Sequence, residues 1–386
     1  MECAHVPSLV GRAKRLNTKV VIALNSAWNL VNFRSGLITK LVALGYEVVA
    51  VAPNDEYACR LDRLGCRYVP LPMDKKGKNP LNDLILTMRY LNLLMKERPA
   101  VLLTFTIKPN IYASLAAHMV SVPVVNNIAG LGEMFLSEGL LNKLVRYLYN
   151  IALAKSKRVF FQNRDDQVLF VSHGLVAETI VDRLPGSGVD LRRFVPILPS
   201  VRAKLKFLMI SRMLWNKGVG DFVRAARTLK MQGYNFEFLL LGFVDESDPK
   251  AVPRMQIDEW VSEGIVGYLG VSDDVRVQIA EADCIVLPSY YREGTPRTLI
   301  EAAAMARPII TTNSVGCRDV VEHGLNGFLC TPKDANDLAH KMIAFSELSL
   351  LERQSMGEHG RSKVEREFDE EIVISKYIDV IRSLVR

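Results

Sequence analysis

The sequence predicts an α/β protein made of two doubly wound, Rossmann-like domains with parallel sheets. Three observations carry this prediction. Short apolar runs alternate with helical patterns along the 386 residues, and repeated strand–helix–strand units build parallel sheets. The alternation is interrupted near mid-chain by Pro185-Gly-Ser-Gly-Val-Asp-Leu-Arg-Arg-Phe-Val-Pro-Ile-Leu-Pro-Ser, punctuated as a linker is. Polar segments follow the apolar runs, at the edge where open parallel sheets bind ligands.

In the first domain, expected over residues 18–198, the opening strand covers 19–24 and leads into Asn25-Ser-Ala-Trp-Asn, with a helix from about residue 35. No glycine precedes Gly36 in this turn. The Gly-x-Gly-x-x-Gly of a nicotinamide-binding unit is therefore missing, which weighs against a dehydrogenase. Asn25 and Asn29 stand instead where a sugar or an acceptor phosphate would be met. Strands follow at 47–52, 67–71, 101–105, 123–126 and 158–162, with helices over 81–96 and 140–153. Lys108 follows a strand's carboxyl end, and its two readings are a phosphate partner and an exposed cation. Asn127 and Gly130 belong to the next such loop, where glycines permit close backbone approach. The loop Asp74-Lys-Lys-Gly-Lys-Asn-Pro and the helix 140–153, edged by Lys143 and Arg146, admit contact with an anionic membrane surface. The commoner reading of such a loop is a solvated turn, and of such a helix, packing on its own sheet.

The second domain, expected over 199–367, repeats the pattern with strands at 206–210, 237–241, 266–269, 284–287 and 309–312. Arg212 and Lys217 share the turn after the first of these. Gly242 and Tyr268 lie at the ends of the next two. The run 284–287 opens the most informative stretch, Pro288-Ser-Tyr-Tyr-Arg-Glu-Gly-Thr-Pro-Arg-Thr-Leu-Ile-Glu. Thr295 is expected to cap a helix there, with Pro296 at its first position. The helix start, spanning Gly294, Thr295, Pro296, Arg297 and Thr298, favours an anion. With Arg212 and Lys217 it makes a diphosphate site, since guanidinium binds phosphate bidentately and ammonium adds a point charge. Glu293 lies in the loop and Glu301 in an otherwise apolar helix, where a carboxylate is costly unless it meets a donor. A final helix is expected at about 368–386.

The net charge of +7 is unevenly spread: residues 1–195 hold 25 Lys and Arg against 15 Asp and Glu. A basic half suits a phosphorylated substrate or an anionic membrane. No RNA-binding signature with interleaved aromatics accompanies it, so nucleic acid is not expected. The cysteines at 3, 59, 66, 284, 317 and 330 have no Cys-x-x-Cys spacing, which fits a reducing cytosol and argues against zinc. No signal-peptide apolar region and no run of roughly 20 apolar residues is present. A cytoplasmic protein, peripheral at most on the inner membrane, is expected.

Glu293 and Glu301, with seven residues between them, resemble the Glu-x7-Glu signature of the retaining family 4 glycosyltransferases, which have the GT-B fold. The runs Pro308-Ile-Ile-Thr-Thr, Gly316-Cys-Arg-Asp and Gly324-Leu-Asn-Gly-Phe, and Gly-Ser-Gly-Val-Asp ahead of Phe194, continue the resemblance in order. It implies two domains facing across a cleft, the first choosing the acceptor and the second holding a nucleotide-sugar donor, here UDP-linked. The final helix would return to the first domain. The matching Arg212 and Lys217 would hold the donor diphosphate. Glu301 would accept from ribose hydroxyls, Glu293 from the sugar, and the loop holding Tyr268 would contact the base. Departures are visible too: Gly242 is followed by Phe243 and Val244 instead of Gly-x-Gly, and no histidine stands near Ala129. The implied acceptor is a glycan, polyprenyl-diphosphate-linked, as in bacterial lipid-linked glycan assembly. No Asp-x-Asp occurs, so neither a metal nor another cofactor is expected. A nucleotide-sugar epimerase of this fold and a non-catalytic nucleotide-sugar-binding protein are the competing readings.

Overall fold

The computed structural model describes residues 18–74, 77, 79–131, 139–197 and 204–385. The basic tail 1–17, Lys75, Lys76 and Lys78 of the basic loop, residues 132–138 and residues 198–203 of the linker lie outside the described residues.

The chain divides into two compact units, one formed by residues up to Ser187 together with Glu370–Arg386, the other by Gly188–Asp369. The first unit holds β1 (Lys19–Ala23), β2 (Glu47–Ala52), β3 (Arg67–Pro70), β4 (Val101–Phe105), β5 (Val124–Ile128), β6 (Arg158–Phe161) and β7 (Val181–Arg183). They form one sheet in the order β3-β2-β1-β4-β5-β6-β7, parallel throughout. The central strands are buried on both faces, which is why they read as continuous apolar runs. One face takes the helices Pro80–Glu97 and Leu140–Leu153. The other takes Ser35–Ala43 and the final helix, Glu370–Val385.

The second unit holds β8 (Lys206–Ile210), β9 (Glu237–Leu241), β10 (Gly267–Tyr268), β11 (Cys284–Leu287), β12 (Ile309–Thr312) and β13 (Gly327–Cys330) in the order β10-β9-β8-β11-β12-β13, again parallel. In each sheet the order reverses once: between β1 and β4, and between β8 and β11. Ligands of doubly wound sheets bind beyond the carboxyl ends of the strands at such a reversal.

The sequence-based expectation lacks β7 and β13 and differs in three further places. The unit boundary falls at Ser187/Gly188, ahead of 198/199, because Val189 donates its N–H to the Phe368 carbonyl at 2.9 Å and packs with Phe194 into the second core. Residues 27–33 form a helix capped by Ser26, whose hydroxyl accepts from the Asn29 N–H. The helix after β11 starts at Arg297 with Pro296 at its N-cap, so Thr295 is not the cap and no cap side chain accepts from the first turn.

The final helix turns Val373, Ile374, Tyr377, Ile378 and Ile381 into the first core beside Val20, Ile22 and Leu103, the spacing of one helical face. Its Tyr377 hydroxyl accepts from Asn127 Nδ2 at 2.8 Å, and burial pushes that phenol up to about 12. Tyr377→Phe leaves the amide of a fully buried asparagine short of a partner. A loss of about 1–3 kcal/mol in unfolding free energy is expected by urea titration.

Candidate active site

The reversal of the second sheet brings together the turn after β8 and the loop after β11. Trp215–Lys217 is a single tight turn, and Gly218, in the left-handed region at φ 82°, opens the helix Val219–Met231. A side chain at Gly218 would begin 2.1 Å from the Pro288 carbonyl oxygen, so the two segments touch backbone to backbone there. The amides of Tyr290 and Tyr291 donate to the Asn216 carbonyl at 3.2 and 3.1 Å. Across this join the Lys217 ammonium meets the Glu293 carboxylate, both nearly buried, and lies 5.3 Å above the Tyr291 ring. Ser289 Oγ donates to the same Glu293 oxygen at 3.0 Å.

On its far side the loop is held again. Gly316, at φ 81°, would place a Cβ 2.0 Å from the Gly294 carbonyl oxygen. The Thr312 and Ser314 hydroxyls donate to the Ser289 carbonyl. Residues 288–296 are thus fixed between two glycines that allow close backbone approach.

The helix Arg297–Ala304 is tied to β8 by Thr298 Oγ1 donating to the Ile210 carbonyl at 3.1 Å. One turn in, Arg297 Nε donates to Glu301 Oε1 at 2.6 Å. Burial raises the Glu301 carboxyl above the usual carboxylate range, and the Arg297 guanidinium opposes that rise. Arg212, in the turn after β8, is exposed and makes no ion pair with a described residue. The site therefore gathers two shielded ion pairs and an open guanidinium at one sheet edge, beside a helix start that no side chain caps.

Gly242 donates its N–H to Gly270 at 2.8 Å, while its carbonyl accepts from the Tyr268 hydroxyl at 2.7 Å. The Tyr268 ring is covered by the Arg254 guanidinium at 4.9 Å. Both residues thus secure the ends of β9 and β10.

In the first unit, Asn29 Nδ2 donates to Asn25 Oδ1 at 2.7 Å. Lys108 is paired with Asp83 at 2.6 Å, and the Tyr112 hydroxyl takes the other Asp83 oxygen at 2.7 Å. Asn127 is fully buried, holding Tyr377 and accepting from Gln162. Gly130 follows β5 with φ 94°. Four of these side chains, those of Asn25, Asn29, Lys108 and Asn127, are thus engaged within the unit. In the second unit, sequence reasoning passed over Ser289, Thr312, Ser314 and the guanidinium of Arg297. The visible signal was polarity at strand ends, and for Arg297 the four-residue spacing to Glu301.

Two units with parallel sheets, the second carrying Arg212 and Lys217 after its first strand, define the class of doubly wound α/β proteins. Residues 32–185 match the family described as glycosyl transferase 4-like domain, and residues 204–347 match glycosyl transferases group 1. The chain belongs to these glycosyltransferases, and its two parallel sheets are those of the GT-B fold. It is 26% identical over 375 residues to N,N'-diacetylbacillosaminyl-diphospho-undecaprenol alpha-1,3-N-acetylgalactosaminyltransferase of Campylobacter jejuni, covering 93% of this chain and 96% of that one. It is also 26% identical to UDP-Gal:alpha-D-GlcNAc-diphosphoundecaprenol alpha-1,3-galactosyltransferase of Escherichia coli, covering 83% and 81%. Among solved structures, a glycosyltransferase from Rickettsia africae superposes with a TM-score of 0.78 at 20% identity, covering 96% of this chain and 99% of that one. Anabaena HepE in complex with UDP and glucose superposes at 0.77 with 17% identity, covering 95% and 100%.

Proposed function

We propose that the chain moves a hexose or N-acetylhexosamine from a UDP-sugar to a polyprenyl-diphosphate-linked glycan, with retention at the anomeric carbon and without a metal. It would do so in building a bacterial surface polysaccharide or glycoprotein glycan, at the cytoplasmic face of the inner membrane. The Lys217–Glu293 pair at the sheet reversal carries this reading. Support for the donor and acceptor comes from the relatives, whose names print a UDP-linked sugar and diphosphoundecaprenol acceptors.

As the bond from the anomeric carbon to the β-phosphate oxygen breaks, negative charge gathers on the leaving diphosphate. Arg212, Lys217 and the N–H groups around Gly294 and Thr298 stabilise that charge, and fixed donors aimed at developing charge lower the barrier. The acceptor hydroxyl attacks the face the diphosphate leaves, and a departing phosphate oxygen takes its proton. Glu293, held by Lys217 and Ser289, accepts from donor-sugar hydroxyls. Glu301, oriented by Arg297, accepts from the ribose.

Glu301→Gln should raise the donor KM about tenfold or more, as one charge-assisted hydrogen bond is lost. The raised Glu301 carboxyl adds a pH signature. It protonates sooner than an ordinary glutamate as pH falls, so donor affinity should decline on the acid side, and Glu301→Gln should flatten that decline. An acid limb identical in both proteins would remove Glu301 from donor binding. The function itself is tested by presenting UDP- and GDP-sugars with polyprenyl-diphosphate acceptors and weighing the product. The reading predicts an acceptor heavier by one sugar, α-linked from an α-donor by NMR, with turnover unaffected by EDTA. UDP-sugar converted to its epimer with no acceptor change would overturn it.

A further inference from the structure

An aromatic cluster stands at the carboxyl ends of β1 and β2 in the first unit. Trp28 lies in the first turn of the helix Ala27–Phe33, and its ring meets Phe33 at 5.2 Å and Tyr57 at 6.5 Å between centroids, both edge to face. The backbone beneath it is tied on both sides. Asp55, just past β2, accepts the Trp28 N–H on Oδ2 at 3.2 Å and the Tyr57 N–H on Oδ1 at 3.0 Å. Asn32 Nδ2 donates to the Trp28 carbonyl at 3.0 Å. The Arg60 guanidinium covers the Tyr57 ring at 4.4 Å, whereas Trp28 stays 42% exposed and its indole N–H donates to no described residue. A tryptophan held this firmly and left open loses little freedom when a ligand lies on it.

The surroundings choose the partner. A protein or bilayer contact continues such a ring with further exposed apolar side chains, but the residues that flank Asp55 and cover Tyr57, namely Asn54, Glu56 and Arg60, are exposed and polar. Aromatic surface edged by an amide, a carboxylate and a guanidinium matches a pyranose, which has an apolar face of C–H bonds and a rim of hydroxyls. The C–H hydrogens carry slight positive charge and settle on the negative face of an aromatic ring. The hydroxyls both give and accept hydrogen bonds at the rim. The place fits as well, because β1 borders the reversal of the first sheet, beyond whose carboxyl edge such sheets bind ligands.

We propose that Trp28 is a carbohydrate-stacking residue: a pyranose ring of the glycan acceptor lies on its indole, and the indole N–H donates to one of that ring's hydroxyls. Trp28 thereby selects and positions the acceptor and takes no part in holding the donor. The inference rests on the acceptor reading above, since a glycan acceptor supplies the ring.

The test uses the full chain and the variants Trp28→Phe, Trp28→Leu and Trp28→Ala. Binding is read without lipid, by titrating methyl glycosides of N-acetylglucosamine and galactose and following the indole N–H resonances by NMR, the Trp28 signal being the one that Trp28→Phe removes. Turnover is read separately with a polyprenyl-diphosphate-linked glycan. The Trp28 resonance should shift saturably with at least one glycoside. The acceptor KM should rise about three- to tenfold in Trp28→Leu and Trp28→Ala, the worth of one aromatic stack, and under about twofold in Trp28→Phe, which keeps a π face. Donor KM and melting temperature should match the parent in all three. Leucine fills much of the same space without a π face, so parent-like kinetics in Trp28→Leu would overturn the proposal. A donor KM that rises in step with the acceptor KM would do the same, as would a Trp28 resonance that neither glycoside moves. If a glycoside shifts that resonance while no polyprenyl-diphosphate glycan is extended, the acceptor reading fails and the stacking site stands. If such a glycan is extended with the same KM by parent and Trp28→Ala, the stacking site fails and the acceptor reading stands.

Discussion

Lys217→Ala is expected to lower kcat/KM about 10- to 100-fold, the effect of losing a charge-assisted donor to the diphosphate. The ammonium is held between Glu293 and the Tyr291 ring, so its position is set before a donor arrives. Truncation also takes the ammonium away from Glu293, 9% exposed, so the melting temperature should fall as well. The double variant Lys217→Ala, Glu293→Gln separates the two effects. Stability should recover, because a neutral amide needs no counter-charge, while turnover stays low. Parent-like kinetics in Lys217→Ala would remove this residue from the diphosphate site.

Gly316→Ala should cost about 1–3 kcal/mol of stability through its left-handed backbone, and about 100-fold in kcat through the loop it displaces. The Cβ would start 2.0 Å from the Gly294 carbonyl oxygen. The loop would have to shift, carrying Glu293 and the start of the Arg297–Ala304 helix with it. Gly324→Ala is the matched control. Its φ of 82° is equally unfavourable for alanine, but nothing lies within 4 Å. It should lose stability by strain alone and keep its turnover. Equal kcat losses in both variants would show that strain, and not the close approach at Gly294, drives the effect.

Much of the fold was legible because doubly buried strands read as apolar runs: Glu47–Ala52, Val101–Phe105 and Cys284–Leu287 are such cases. Val181–Arg183, three residues and half-exposed, carried no comparable signal. Gly327–Cys330 was masked by the glycine turn before it. In the candidate site, the placement of Arg212, Lys217 and Glu293 after strands was legible, and Glu301 stood out as a carboxylate in an otherwise apolar helix. Their partners were less so. Lys108 is paired with Asp83, 25 positions away, and Asn127 with Tyr377, 250 positions away. No local pattern announces a contact across such a separation. Gly218 and Gly316 were visible as glycines, but the carbonyl each one faces becomes evident only once the strands are assembled.

The return of Glu370–Val385 to the first unit bears on the order in which a nascent chain gains structure. Residues 188–369 are contiguous, whereas the layer over Val20, Ile22 and Leu103 is completed by Val373, Tyr377 and Ile381, which follow the whole second unit in the chain. Domains generally fold as units during synthesis. The second unit can therefore complete its contacts before the first, which waits for the sixteen-residue helix Glu370–Val385. A chain cut between residues 369 and 370 would keep every strand of the first sheet yet leave Val20, Ile22 and Leu103 without the helix that covers them, one side of that core open to water.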